Sequence, residues 1–206
     1  MNTTGTIQLE VDTLGGDPET GVRGYQYSVQ INGATVRAFP AGGAIDLTTS
    51  VMRTGSARLN GITVPQGGRV TVQLRTVNGH DRVSTPIGSG VAVHDVTPPS
   101  TPTGSARISP VGANYFVTIE GTVAVDPQST VQRIEFAIGS REGADDVKAW
   151  SAVPSWAAGG TTYRAYHAVP GARVASLTDR TLYISVRAVN GAGLPSGIAR
   201  FRVVGP

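Results

Sequence analysis

The chain has 206 residues, enough for one large domain or two of about 100 residues each. It is 39% hydrophobic and 15% charged with 27 Gly and 13 Pro, a balance that excludes disorder and favours many short strands over helices. The absence of cysteine removes disulfide and thiolate-metal chemistry, and a net charge of +3, carried by Arg scattered along the chain and the single Lys148, leaves no concentrated phosphate-binding footprint.

No apolar run approaches the roughly 18 residues of a membrane span, so no membrane insertion is expected. The opening MNTTGTIQLEV has neither a basic nor an apolar leader region, so no signal peptide is expected. On that reading the protein is either cytoplasmic or cut from a longer chain. Ile7–Glu10 reads as a first strand, and Asp17-Pro18-Glu19-Thr20-Gly21 as a turn, because Asp-Pro initiates turns. Tyr25, Tyr27, Val29 and Ile31 alternate with polar residues and read as a strand. Asn32-Gly33 then tolerates positive φ at both central positions of a type I′ turn and predicts a hairpin. Val70, Val72 and Leu74 alternate with Thr71, Gln73 and Arg75, which places the apolar set on a core face and the Arg on the solvent face.

After HDVTPPSTPTG, residues 94–104, the pattern restarts. Val117-Thr118-Ile119-Glu120 matches Ile7–Glu10, Asp126-Pro127 matches Asp17-Pro18, and Ile134, Phe136 and Ile138 match the Tyr25 strand. Leu182, Ile184, Val186 and Ala188 alternate ahead of Arg187-Ala188-Val189-Asn190-Gly191, which repeats Arg75-Thr76-Val77-Asn78-Gly79. Blocks in one order at offsets of 109 to 112 residues are an internal duplication. Short strands separated by Gly, Pro and Asn predict an all-β chain of two tandem antiparallel β-sandwiches joined by a stiff Pro-rich linker.

The second copy resembles a bacterial fibronectin type III domain. LTDRTLYISVRAVNGAGLPSG, residues 177–197, is similar to that family's E–F turn, strand F and F–G loop, with strand G in ARFRVV. IEFAIGSREGADDVKAW, residues 134–150, is similar to strand C and a Gly/Asp-rich C–C′ loop ending in Trp. The Thr-Pro-Pro connector resembles the family's domain junctions. The resemblance implies domains over 1–96 and 105–206 with a Thr/Pro-rich linker over 97–104. It covers the second copy well and reaches the first through the duplication. Two departures stand out. Alternation puts Leu182 inward and Tyr183 outward, so the family's tyrosine corner is expected to be absent or shifted. Nothing before Thr6 matches the strand in Ser105-Ala106-Arg107-Ile108, so the first domain is expected to lack strand A, through truncation or with a partner donating the strand.

Candidates for chemistry are few. His80, His94 and His167 form no metal-binding pair, and no Gly-x-Ser-x-Gly, Walker or dinucleotide motif occurs. Glu142, Asp145 and Asp146 cluster in one loop but lack the ligand spacing of a calcium loop. The repeated Asn78-Gly79 and Asn190-Gly191 read as chain-reversing scaffold whose residues accept positive φ. No catalytic residue, metal or cofactor is therefore expected. Trp150, Trp156, Tyr163 and Tyr166 place four of twelve aromatics within 17 residues. Trp150 is expected in the core, as the resemblance implies, and Trp156, Tyr163 and Tyr166 are the candidates for stacking on a sugar or anchoring a protein. The first F–G loop, His80–Thr85, is longer than its counterpart and is a second place where recognition could sit. The expected function is a non-catalytic segment of a larger secreted or cell-surface bacterial protein, acting as spacer and adhesion or protein-interaction segment beside neighbouring domains. A carbohydrate-binding accessory module of a degradative enzyme, or a subunit of a filament or phage-like assembly, are the alternatives.

Overall fold

The computed structural model describes residues 2–10, 17–40, 51–52 and 56–206. The chain divides into two compact units, Met1–Asp95 and Val96–Pro206. Among the described residues no helix is long and apolar enough to cross a membrane.

Unit 1 contains β1 (Asn2–Glu10), β2 (Val22–Ile31), β3 (Ala34–Arg37), β4 (Val51–Met52), β5 (Ser56–Pro65), β6 (Arg69–Asn78), β7 (Ile87–Gly88) and β8 (Ala92–Val93). Among the described residues β1 pairs only with β5, antiparallel. The second sheet runs β3–β2–β6–β7, with β4 also paired to β2 and β8 to β6. Tyr25, Tyr27, Val29 and Ile31 of β2 pack with Val70 and Val72 of β6 against Leu59, Ile62 and Val64 of β5. Period-two alternation thus supplies the inward face of β2 and β6, as the sequence predicts, whereas in β5 an extra residue between Leu59 and Ile62 is what keeps both of them inward. The β2–β3 turn has Asn32 and Gly33 both at positive φ, 51° and 81°, so it is the expected type I′ hairpin.

Unit 2 contains β9 (Thr103–Val111), β10 (Asn114–Thr122), β11 (Val131–Gly139), β12 (Lys148–Ala152), β13 (Thr162–Pro170), a helical turn α1 (Gly171–Ala175), β14 (Thr181–Asn190) and β15 (Ala199–Val204). One sheet is β9–β10–β13 and the other β12–β11–β14–β15. Val117, Ile119, Ala165 and Val169 from the first meet Ile134, Phe136, Ile138, Leu182, Ile184, Val186 and Ala188 from the second. Val174, on the single turn of α1, is buried in the same core. Leu182 is inward and Tyr183 is outward and half-buried, which agrees with the alternation and leaves the tyrosine-corner position to a leucine.

One irregularity re-aims a side chain. Phe136 pairs with Ser151 but Ile138 pairs with Lys148, so β12 carries an extra residue opposite β11. A bulge of this kind reverses the facing of the residues beyond it. Although two residues apart, Trp150 and Lys148 therefore face opposite ways: Trp150 lies on the outer face, its ring 4.3 Å from the Arg187 guanidinium, and Lys148 turns inward, its Nζ 4.2 Å from the centre of the Phe136 ring. The expectation that Trp150 fills the core is therefore corrected.

Candidate functional site

The residues that recur in the sequence form two ties that also recur in the structure. In unit 1, Asp17 Oδ1 accepts from the backbone N–H groups of Glu19 (3.2 Å) and Thr20 (2.9 Å), shaping the turn before β2. Its other oxygen accepts from Asn78 Nδ2 at 3.0 Å. Asn78 Oδ1 in turn accepts from the N–H groups of His80 (3.0 Å) and Arg82 (2.9 Å), shaping the loop after β6. Unit 2 repeats the arrangement. Asp126 Oδ1 accepts from Gln128 and Ser129, Asn190 Nδ2 donates to Asp126 Oδ2 at 3.1 Å, and Asn190 Oδ1 accepts from Ala192 and Leu194. Asn190 Nδ2 also donates to the Thr97 carbonyl at 3.0 Å, fixing the entry of the chain into unit 2. One carboxylate shapes each incoming turn, one carboxamide each outgoing loop, and the two are bonded together. The Thr20 N–H and then the Asn78 amide hold the Asp17 carboxyl below the usual carboxylate range.

The conformational reason expected for Asn-Gly is corrected here. Among the described residues none of Asn78, Gly79, Asn190 and Gly191 has positive φ; in these loops it falls on Asp81 and Gly193. Asparagine is used for its side-chain bonds. Glycine is used for close approach, since a Cβ would stand 2.7 Å from the Thr20 carbonyl oxygen at Gly79 and 2.5 Å from the Ser129 oxygen at Gly191.

The Arg of the same repeat is also held, a feature the alternation pattern did not reveal. Arg75 Nε donates to Gln26 Oε1 at 2.8 Å and its guanidinium lies 4.3 Å from the Phe39 ring centre. Its counterpart Arg187 donates to Glu135 Oε2 at 2.7 Å and lies 4.3 Å from the Trp150 ring. Arg133 takes the other oxygen of Glu135 at 2.7 Å. Burial raises the Glu135 carboxyl, but the bonds from Arg133 and Arg187 outweigh it and hold the group below its ordinary value. Arg187→Ala is expected to cost about 1–3 kcal/mol, because it removes a charge-assisted bond and the ring contact together. Arg133→Ala, at an exposed pair, is expected to cost less than about 1 kcal/mol. Urea unfolding of the two variants checks the ordering.

The three candidate ligand residues fall in different environments. Tyr163 is 4% exposed, and its hydroxyl donates to the Thr103 carbonyl at 3.1 Å. Burial pushes its phenol up to about 12. The ring crosses Gly121 and Gly104, directly paired across β10 and β9, where any Cβ would meet backbone within 3 Å. Tyr166, three residues on, points to the opposite face of β13 and is 58% exposed, with the Arg164 guanidinium 5.4 Å from its ring. Trp156 is half-buried against the unit 2 core, and its Nε1 is enclosed without a hydrogen-bond partner among the described residues. Tyr163 and Tyr166 thus lie on opposite faces of one strand. Phe116, which the sequence reading passed over, is on the Tyr166 face of the sheet, diagonal to it across the β10–β13 pair, and 37% exposed. Its signal was present: Phe116 is out of phase with the inward Val117 and Ile119 strand register.

The acidic loop residues turn to separate partners. Asp146 accepts from the Ser140 N–H at 2.8 Å and from Arg173 at 2.9 Å, while Glu142 lies 3.4 Å from Arg200. Among the described residues no group of three or more His, Cys, Asp or Glu is placed to hold a metal ion. His167 is half-buried, and burial and then the Lys148 charge lower its pKa. The folded protein therefore favours neutral His167, and stability is expected to fall as pH drops below the ordinary histidine value of about 6.5. Thermal unfolding between pH 7.5 and 5.5 checks this, and His167→Gln should flatten the slope. The carboxylates act lower, their contribution being lost as pH falls below about 4.5.

No protein-family model and no curated protein sequence matches the chain. Among solved structures, the fibronectin(III)-like modules of Clostridium thermocellum CbhA are similar over 97% of this chain and 84% of theirs, at 14% identity and a TM-score of 0.46. The chicken CNTN1 FN1–FN3 domains are similar over 99% of this chain and 64% of theirs, at 12% identity and a TM-score of 0.32. The fold assignment rests on strand order. In the family's lettering, unit 2 sets strands A, B and E against C′, C, F and G, and unit 1 sets B and E against C′, C, F and G. The chain is all-β and folds as fibronectin type III-like β-sandwiches.

Proposed function

We propose that the chain is a non-catalytic segment of a larger secreted or cell-surface bacterial protein, acting as spacer and as adhesion or protein-interaction segment. Of the residues expected as linker, 97–104, those ahead of β9 serve as its connector, since Thr103 and Gly104 pair within the sheet, and neighbouring domains of the longer chain are its first partners. The observation that carries this reading is the use made of the recurring polar side chains. Asp17, Asn78, Asp126 and Asn190 spend their hydrogen bonds on holding loops to one another, so the duplication preserves scaffold and not a reaction centre.

Sedimentation velocity on the full chain tests it. A spacer remains one monomeric species across a hundredfold range of concentration. Concentration-dependent growth favours instead a strand-exchanging assembly subunit, for which the β1 edge is the available site. A carbohydrate-binding accessory module is the second reading, supported by the exposed Tyr166 and Phe116 on one face of β9–β10–β13. It predicts retention on an insoluble polysaccharide that is lost with Tyr166→Ala. Tyr166 is the better probe than Trp156, whose truncation also opens the core.

A further inference from the structure

The outer face of β14 and β15 carries a groove of about 250 Å³ lined by Tyr183, Ser185, Arg200, Arg202, Glu142 and Gly143. Its construction follows from the sheet register. Tyr183 pairs directly with Arg202 and Ser185 with Arg200, so all four side chains stand on one outward face. The next strand inward offers only Gly139 opposite Tyr183 and Ala137 opposite Ser185, which leaves the floor shallow. The loop after β11 folds back tightly there, since a Cβ on Gly139 would stand 2.2 Å from the Ala144 carbonyl oxygen. Asp146 clamps that loop to the Ser140 N–H, and Glu142 and Gly143 form the lip.

The geometry points to an acidic-sugar subsite: a groove that takes one carboxylate-bearing pyranose ring of an anionic, uronate-type polysaccharide. Three features converge on that chemistry. The first is a pair of exposed guanidinium groups without a strong internal partner. Among the described residues Arg202 has one long contact, 3.4 Å to Thr181 Oγ1, and Arg200 meets Glu142 alone, at 3.4 Å. Glu142 is 68% exposed, so the protein itself shows a displaceable carboxylate at this position. The second is Ser185, 4% exposed, whose hydroxyl makes no hydrogen bond among the described residues and opens onto the groove, where a sugar hydroxyl would satisfy it. The third is the half-exposed Tyr183 ring, a flat apolar surface for the face of a pyranose. At this volume the groove is smaller than the roughly 300–1,000 Å³ of drug-sized sites, a size for one ring and its carboxylate. Arg–carboxylate bonds supply orientation as well as attraction. The inference gives the adhesion part of the proposed function a ligand class and rests on that reading. Its failure would leave the spacer role and the monomer test untouched.

The experiment titrates trigalacturonate into the isotope-labelled full chain, followed by amide chemical shifts and by calorimetry. Shifts centred on residues 183–185 and 200–202 are expected, with binding that weakens as salt rises. Arg202→Ala is expected to weaken binding about tenfold or more, and Ser185→Ala about threefold to tenfold. Glu142→Gln removes the internal competitor and is expected to tighten binding by up to about fivefold, a gain that misfolding cannot produce. Equal binding of the fully methyl-esterified trisaccharide would overturn the proposal, because the carboxylate would then play no part. Tighter binding of a tetraglutamate peptide would also overturn it, in favour of an acidic protein partner. So would the absence of shifts at these residues up to millimolar sugar, or no gain from Glu142→Gln.

Discussion

Asn190→Ala is expected to destabilise unit 2 by about 2–4 kcal/mol, a drop in its unfolding midpoint on the order of 10–20 °C. The side chain is buried and joins four partners: Asp126, the Thr97 carbonyl, and the N–H groups of Ala192 and Leu194. Alanine leaves two backbone donors and a carbonyl without their acceptor or donor and deprives one oxygen of the buried Asp126 carboxylate of its amide. Each unmet group carries its own desolvation cost, so the loss exceeds that of one hydrogen bond. Asn190→Asp is a sharper variant. It keeps the acceptor for Ala192 and Leu194 but sets a carboxylate against Asp126, so at neutral pH it should also be destabilising. Differential scanning calorimetry of the three proteins measures both effects.

Tyr163→Ala and Tyr166→Ala should differ by several kcal/mol although they lie three residues apart. Truncating Tyr163 empties the space over the Gly104–Gly121 pair and removes the bond to Thr103, for a cost of about 3–5 kcal/mol. Truncating Tyr166 removes an exposed ring and should fall within about 0.5 kcal/mol of the parent. Denaturant unfolding separates them. The Tyr163 phenol adds an alkaline signature. Its pKa is raised to about 12 in the folded state, so below pH 10 it contributes no pH dependence. From the ordinary value of about 10 up to about 12 the unfolded chain ionises first, and stability is lost as pH rises through that window. Tyr163→Phe should remove that part of the loss.

The alternation in β2, β6, β11 and β14 was legible because a strand half-buried in a sandwich has one inward face, and period two records it directly. The Asn32-Gly33 hairpin was legible for a similarly local reason, its two positive φ values. The facing of Trp150 was not, since it depends on one extra residue in β12 and no residue type in Ala149-Trp150-Ser151 marks a bulge. The repeated Asn-Gly reads as scaffold from the chain, yet its reason lies in a partner 61 residues away in unit 1 and 64 in unit 2, beyond the reach of local turn chemistry. The aromatic cluster shows the same limit from the other side. Sequence proximity suggested one surface, but alternation along β13 buries Tyr163 and exposes Tyr166, while the exposed companion Phe116 comes from β10. The groove at Tyr183 and Ser185 could not be read from the chain at all, because Arg200 and Arg202 meet them only through the β14–β15 register.

The recurring Asp and Asn hold the loops of each sandwich together as one coupled unit. A double-mutant cycle on Asp126→Ala and Asn190→Ala, read by equilibrium unfolding of the full chain, tests it most directly. The double variant is expected to be less destabilised than the sum of the singles, with a coupling of about 1–2 kcal/mol, and Asp17→Ala with Asn78→Ala to couple in the same sense. Additive losses, with coupling below about 0.3–0.5 kcal/mol in both units, would contradict it.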